Sequence, residues 1–473
     1  MLIRDAEVRG LGLADVRIAN QLVAAIGRLA PLPGERILEA RGGALLPGLH
    51  DHHIHLAGLA VRNASVVCGP PEVTDRDGLA RRLSAPGQGW IRGILYHESV
   101  MGLPDARELD ALVADRPLRM QHRGGRMWLL NSPALEELLS RAAPPQGLEK
   151  VGDRFTGRLF DEDQWLQRAM GSSPPDFSAI SARLAARGVT GVTDMSPRND
   201  PHIAGHFAEQ MELGALVQRC TLAGNLALAE ADPGPWVLGP AKLHLHETAF
   251  PDFDETVAFA SSAHDQGRPV AVHCVTEAEL VFALAVLEAS GSMLGDRIEH
   301  VSVASPELVG RMAELSLHAC VQPHFVAERG DSYLRDVEPR HHGDLYRLRT
   351  LLDNGIPLVG GSDAPFGGDD PWAAMAAAVH RNTNAGASIN PSEALSSEEA
   401  LSLYLKAPND LSRERRIAID QPADLCLLDR SWNAAASGLE SVTVRATWVS
   451  GRLVHDGVDQ APVQRVPGAE PLA

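Results

Sequence analysis

Short apolar runs alternate with amphipathic stretches along most of the chain. Segments such as DETVAFASSAHDQG and EAELVFALAVLEAS carry apolar residues at helical spacing. The runs between them are short and rich in β-branched residues, the rhythm of repeated βα units around a parallel sheet. Eight core strands are expected at LLPGLHDHHIHL, GVTGVTDMS, QRCTLAG, AKLHLHE, RPVAVHC, DRIEHVSV, LHACVQPHF and IPLVGGSD. The class is therefore α/β, a doubly wound sheet or a closed barrel, and a count of eight fits a (β/α)8 TIM-type barrel. The interval between the first two runs far exceeds a normal βα connection. Residues from about 60 to 175 are thus expected to form a subdomain inserted after the first barrel strand, over the mouth. MLIRDAEV, DVRIAN, LVAAIG and RILEA near the start read as short strands punctuated by Gly and Pro, and ADLCLLD, VTVRATWVSG and RLVHDG near the end share that character. The two ends are expected to pair into one small β-domain, residues 1–46 with 415–465, around a barrel at 47–414. The last stretch, APVQRVPGAEPLA, reads as a loose tail.

A chain of 473 residues exceeds one simple core and fits a large catalytic domain with a further part attached. Hydrophobic residues at 44% and charged residues at 22% are ordinary globular usage, which argues against a disordered or fibrous chain. A net charge of -18 without any basic run argues against a reader of phosphate backbones, so no nucleic-acid partner is expected. Cys68, Cys220, Cys274, Cys320 and Cys426 are odd in number and scattered, with no CxxC pair, and fit a reducing compartment. The first residues lack the unbroken apolar core of a signal peptide, and no run of about 18 uncharged apolar residues offers a membrane span. The expectation is a cytoplasmic protein without a membrane partner, acting on a small molecule, with a homodimer as the commonest assembly of such enzymes.

The chemically informative residues fall at the carboxyl ends of expected strands: His53 and His55 on the first, Lys242 on the fourth, His273 on the fifth, His300 on the sixth and Asp363 on the eighth. Barrel active sites occupy that face, so residues distant in sequence converge there without a local motif. His53 and His55 are two apart on a strand, hence on one face, and suit a shared metal ion. A divalent ion, with zinc the expected one, lowers the pKa of bound water from 15.7 to about 7 and polarises a scissile carbonyl. Asp363 is the expected acceptor of the water's proton and its donor to the leaving nitrogen.

PGLHDHHIH, AKLHLHE, AVHC, RIEH and GGSDAP, in that order, resemble the successive motifs of the metal-dependent amidohydrolase superfamily. GWIRGILYHE, DRPLRMQHRGGRMWLLNSPAL, TGRLFDE and the ending ADLCLLD with VRATWVSGRLVHDG resemble its amidohydrolase family 3 branch. The resemblance implies a distorted (β/α)8 barrel with a composite β-sandwich. It implies that His53 and His55 hold the more buried metal, that His273 and His300 hold a second ion or assist a single one, and that Asp363 ligates metal. Lys242 stands where many members carry a lysine carboxylated by CO2, which turns a cation into a bridging anion. An unmodified ammonium has no lone pair to offer. An ordinary lysine ion-paired with Glu247 is the alternative, in which case His244 or His246 replaces it as a ligand.

The chain departs from the branch at Glu247 and Thr248, where Asp-Gly is usual, at Thr276 and Glu277, where Gly-Asp is usual, and at Arg126, where a histidine is usual. His97, Arg126, Gln322 and His324 are the candidate substrate contacts. Arg126 ranks first: buried at the mouth, it would favour a carboxylate-bearing substrate through a bidentate pair. The expected reaction is hydrolysis of a C–N bond in an amide, formamide or cyclic amide. A deaminase or esterase on the same metal site and an inactive metal-binding regulatory protein are the alternatives.

Overall fold

The computed structural model describes residues 1–84, 87–171 and 175–457. The expected tail, and the end of the β-domain interval from 458 to 465, lie outside the described residues. The chain divides into two compact units, Met1–Leu56 with Asp176–Ala473, and Ala57–Pro175.

The first unit contains an eight-stranded parallel sheet in sequence order. Its strands are β1 (Leu49–Ile54), β2 (Val189–Asp194), β3 (Arg219–Gly224), β4 (Val237–His244), β5 (Val270–Cys274), β6 (Arg297–His300), β7 (His318–Val321) and β8 (Leu358–Gly360). Seven of them lie within the runs read from the sequence, while β4 begins at Val237, four residues before its run AKLHLHE, and overlaps that run. Six of them, β1, β2 and β5 to β8, are buried along nearly their whole length, as expected of barrel strands covered by helices on one face and packed inward on the other. The barrel nearly closes: beyond the end of β8 the Asp363 N–H donates to the His53 carbonyl at 2.7 Å, and the His55 N–H donates to the Ala364 carbonyl at 2.8 Å. Helices fill the crossovers. The one after β5, Glu277–Ser290, starts at a capping box in which Thr276 and Glu279 each satisfy the other's backbone N–H.

The two ends of the chain share a second sheet in this unit. Strands 452–456, 444–449, 425–428, 44–47, 2–8, 12–19 and 22–27 are hydrogen-bonded in that order, with 37–39 beside 2–8. Strand alternation sends Ile3, Val16, Ile18, Leu427 and Trp448 into one buried cluster, so residues from both ends of the strand order share a core.

The second unit, the long segment between β1 and β2, has its own six-stranded sheet. Its order is 148–151, 154–160, 127–130, 118–122, 91–96 and 66–67. Asn131 ties this sheet to the helix that follows. Its Oδ1 accepts from the N–H groups of Leu118 at 2.8 Å and Ala134 at 3.1 Å, and its Nδ2 donates to the carbonyls of Val113 and Arg116. Among the described residues, no helix is long and apolar enough to cross a membrane.

Asn131→Ala strands four backbone groups at a buried position, and each such loss costs about 1–3 kcal/mol. The expected result is faster hydrogen exchange confined to the 57–175 unit. Unchanged exchange there would show that these bonds are replaced by others.

Candidate active site

Three candidate ligand atoms converge at the carboxyl end of the barrel. His53 Nε2 lies 3.4 Å from His55 Nε2 and 3.3 Å from Asp363 Oδ1, and His55 Nε2 lies 3.1 Å from the same oxygen. Donor atoms that share a tetrahedral ion at bond lengths of about 2.0–2.1 Å stand roughly 3.3 Å apart. The triangle therefore fits a divalent metal.

Each corner is held by a named neighbour. His53 Nδ1 meets Glu299 Oε2 at 2.5 Å, and Glu299 also pairs with Arg297 Nε at 2.5 Å, with all three side chains buried. A carboxylate only accepts, so the imidazole proton sits on Nδ1 and Nε2 presents its lone pair to the triangle. Burial lowers the His53 pKa to about 3 despite Glu299, which keeps the ring neutral. Burial raises the Glu299 pKa, but Arg297, Lys242 and His53 outweigh it and hold the carboxyl well below its usual range. His55 Nδ1 contacts Ser196 Oγ at 3.2 Å. Asp194, the last residue of β2, accepts from the N–H groups of Leu56 at 2.7 Å and Ser196 at 3.0 Å, fixing the chain on both sides of that contact. Asp51 accepts from the N–H groups of His53 at 3.1 Å and Ser362 at 2.9 Å, and its own burial pushes its carboxyl up to about 7. Gly361 packs so closely on β1 that a Cβ there would lie 2.5 Å from the His53 Cβ.

A second group of rings continues from the first. Ring centroids are 5.0 Å apart for His53 and His300, 4.5 Å for His300 and His273, and 4.2 Å for His273 and His244, the last pair nearly parallel at 11°. His300 Nδ1 donates to Gln322 Oε1 at 2.8 Å, which leaves its Nε2 as a lone pair. Burial lowers the His273 pKa to about 2, with His300 and Lys242 adding to the effect, and burial likewise lowers that of His244 to about 4. Asp363 is ionised: burial opposes it, but the His55 hydrogen bond and the neighbouring imidazoles lower its pKa. Both His300 (φ 73°) and Asp363 (φ 51°) adopt left-handed backbone, a strain that proteins retain where side-chain placement matters.

Lys242 is buried with no hydrogen-bond partner for Nζ among the described residues. Burial lowers its pKa, and Glu299 and Asp363 oppose that shift. The alternative pairing with Glu247 is not formed.

Each of the four expected substrate contacts already has a partner. Gln322 is fully buried and orients His300 rather than lining a pocket. His324 is buried and bonds the Ser362 carbonyl through Nε2 at 3.0 Å, bracing the end of β8. His97 and Arg126 belong to the second unit. His97 Nδ1 is bonded to Ser99 Oγ at 2.7 Å. Arg126 has a side chain 80% exposed and a bidentate pair with Asp161, so the expectation of a buried arginine awaiting a carboxylate is corrected. Glu299, Ser196 and Asp51 were missed. Glu299 was visible only as the residue before His300 in RIEH, and strand alternation turns neighbours to opposite faces.

A sequence model of the Amidohydrolase family matches residues 36–455. The N-substituted formamide deformylase of Arthrobacter pascens is 26% identical, with 96% of this chain and 97% of that protein aligned. The putative amidohydrolase YtcJ of Bacillus subtilis is 26% identical across 90% of this chain and 91% of its own length. Among solved structures, an uncharacterized metal-dependent hydrolase from Pyrococcus horikoshii OT3 shares the fold with a TM-score of 0.73 at 19% identity, covering 91% of this chain and 97% of that one.

Glu299→Gln keeps an acceptor beside His53 but removes the charge that balances Arg297. Substitutions of groups that orient metal-binding histidines typically cost about 10–100-fold in metal affinity, and that loss is expected in a competitive zinc titration. Unchanged affinity would show that Glu299 does not tune His53.

Proposed function

The chain belongs to the amidohydrolase family, and we propose that it hydrolyses the C–N bond of a small amide, formamide or cyclic amide by metal-activated water. The observation that carries this reading is the triangle of His53 Nε2, His55 Nε2 and Asp363 Oδ1, with separations of 3.1–3.4 Å. The end-to-end similarity to a formamide deformylase supports an N-acyl or N-formyl amine as substrate.

Two imidazoles and a carboxylate suit zinc. A divalent ion in this position supplies water of lowered pKa and polarises the scissile carbonyl. Asp363 would accept the water's proton at its other carboxylate oxygen, the one outside the triangle, and return it to the leaving nitrogen, so one carboxylate serves as base and then acid. His273 and His300, with Nε2 of the latter free, hold a second ion or steady the substrate oxygen. Lys242, buried without a partner, is proposed to be carboxylated, which converts its misplaced cation into an anionic ligand. The five cysteines are all free and buried, which supports a reducing, cytoplasmic location.

Asp363→Asn is expected to retain the fold and lower kcat on a formamide substrate by about 10²–10⁴-fold. A loss below tenfold with chemistry rate-limiting would assign the proton transfer to another group. Lys242→Ala is expected to reduce the metal bound per chain, measured by elemental analysis, with added short-chain carboxylate partly restoring it. Full metal content in that variant would remove the lysine from the ligand set.

A further inference from the structure

A cavity of about 560 Å³ opens beside the strand ends that carry His273 and His300. Val275 lines it two residues after His273, and Ser302 two residues after His300. Phe325, Tyr333 and Leu345 make the opposite wall. Tyr333 bonds Tyr346 through their hydroxyls at 3.0 Å, and Ser302 donates to Tyr346 at 3.2 Å, which fixes that wall to the end of β6. Most of the lining is apolar or aromatic, as expected of a small-molecule site.

The charges on this lining are unequally committed. Arg329 places its guanidinium carbon 4.0 Å from the centroid of the Phe325 ring and donates to the Phe366 carbonyl. His341 is held by Asp344 at 3.3 Å. Glu247 and Glu277 line the same cavity, and neither carboxylate has a hydrogen-bond or ion-pair partner among the described residues. These are two of the positions at which the chain departs from its branch. The uncommitted charge of the cavity is therefore negative, in a protein whose net charge is already -18.

We infer that this cavity is the specificity subsite of the reaction proposed above, and that it takes an apolar body ending in a cationic group, so that the substrate is an amide that also bears an amine. The inference rests on the hydrolytic reading, but its test does not depend on turnover. Three N-benzylformamides that differ only at the para position, as aminomethyl, methyl or carboxylate, are titrated calorimetrically against the zinc-loaded full chain. Their hydrolysis is followed separately. The aminomethyl compound is expected to bind about tenfold tighter than the carboxylate, with the methyl compound between, since reversing one charge beside partly exposed carboxylates is an effect of that order. In the Glu247→Gln/Glu277→Gln double variant the two charged compounds should come within about threefold of each other, with zinc content and affinity for the methyl compound unchanged. Equal binding of all three, no measurable binding of the aminomethyl compound, or preference for the carboxylate would overturn the assignment, the last pointing to Arg329 instead. The expected binding order without hydrolysis of any member would leave the subsite standing and sink the hydrolase reading. Hydrolysis of all three without any order would do the reverse.

Discussion

The contact between Glu299 and His53 is the constraint on which the site depends. A carboxylate with no solvent exposure is costly unless opposite charge and hydrogen bonds surround it, and breaking such a pair typically costs about 3–5 kcal/mol. Glu299 meets this with Arg297 on one oxygen and the His53 N–H on the other. Arg297 is in turn anchored by the His52 carbonyl at 3.0 Å, so β6 and β1 are joined through a charged chain across the barrel interior. One consequence is geometric, because the ring cannot turn. The other is electronic, because the proton is confined to Nδ1 and the lone pair faces the other ligands.

Closure of the barrel and assembly of the site are largely the same event. The bond from the Asp363 N–H to the His53 carbonyl joins the two ends of the sheet and sets the Asp363 carboxylate against the His53 imidazole. Asp51 repeats the link one step deeper, through Ser362 and the backbone of His53. These bonds hold Asp363 in left-handed backbone, a conformation that costs of order 1–3 kcal/mol and persists only where surrounding contacts impose it. A barrel that failed to close would lose the ligand triangle with it.

The barrel was legible in the sequence because strands buried on both faces read as short apolar runs, and because histidines at their ends interrupt that pattern visibly. His53, His55, His273, His300, Lys242 and Asp363 are all found on or beside those ends. What was not legible depends on packing across strands. Glu299 and His53 are 246 positions apart, and nothing local distinguishes a carboxylate that turns inward to a histidine from one that faces solvent. Gln322 was read as a substrate contact for the same reason, since a polar residue at a strand end suits either role. Arg126 failed differently: its value as an anion site required burial, and its proximity to Asp161 in the folded unit left it exposed and already paired. The alternation rule also breaks locally, because the register of β1 on β2 shifts between Val192 and Asp194.

Charge balance connects the orphaned lysine to the rest of the site. Around the ligand triangle, Arg297 offsets Glu299, and a protonated Lys242 would offset Asp363, before any ion enters. A divalent cation then adds two positive charges that nothing compensates, and at about 4 Å even an effective dielectric near 20 makes a pair of unit charges interact by about 4 kcal/mol. Loss of the lysine proton removes one of those charges, and carboxylation of the amine removes a second. The proposed modification therefore restores neutrality for one ion and supplies the anionic oxygen that the amine lacks. Burial favours the first step, since it lowers the Lys242 pKa and makes the neutral, nucleophilic amine more accessible. The same burial that makes an unpaired lysine costly in this barrel is thus what prepares it to become a ligand.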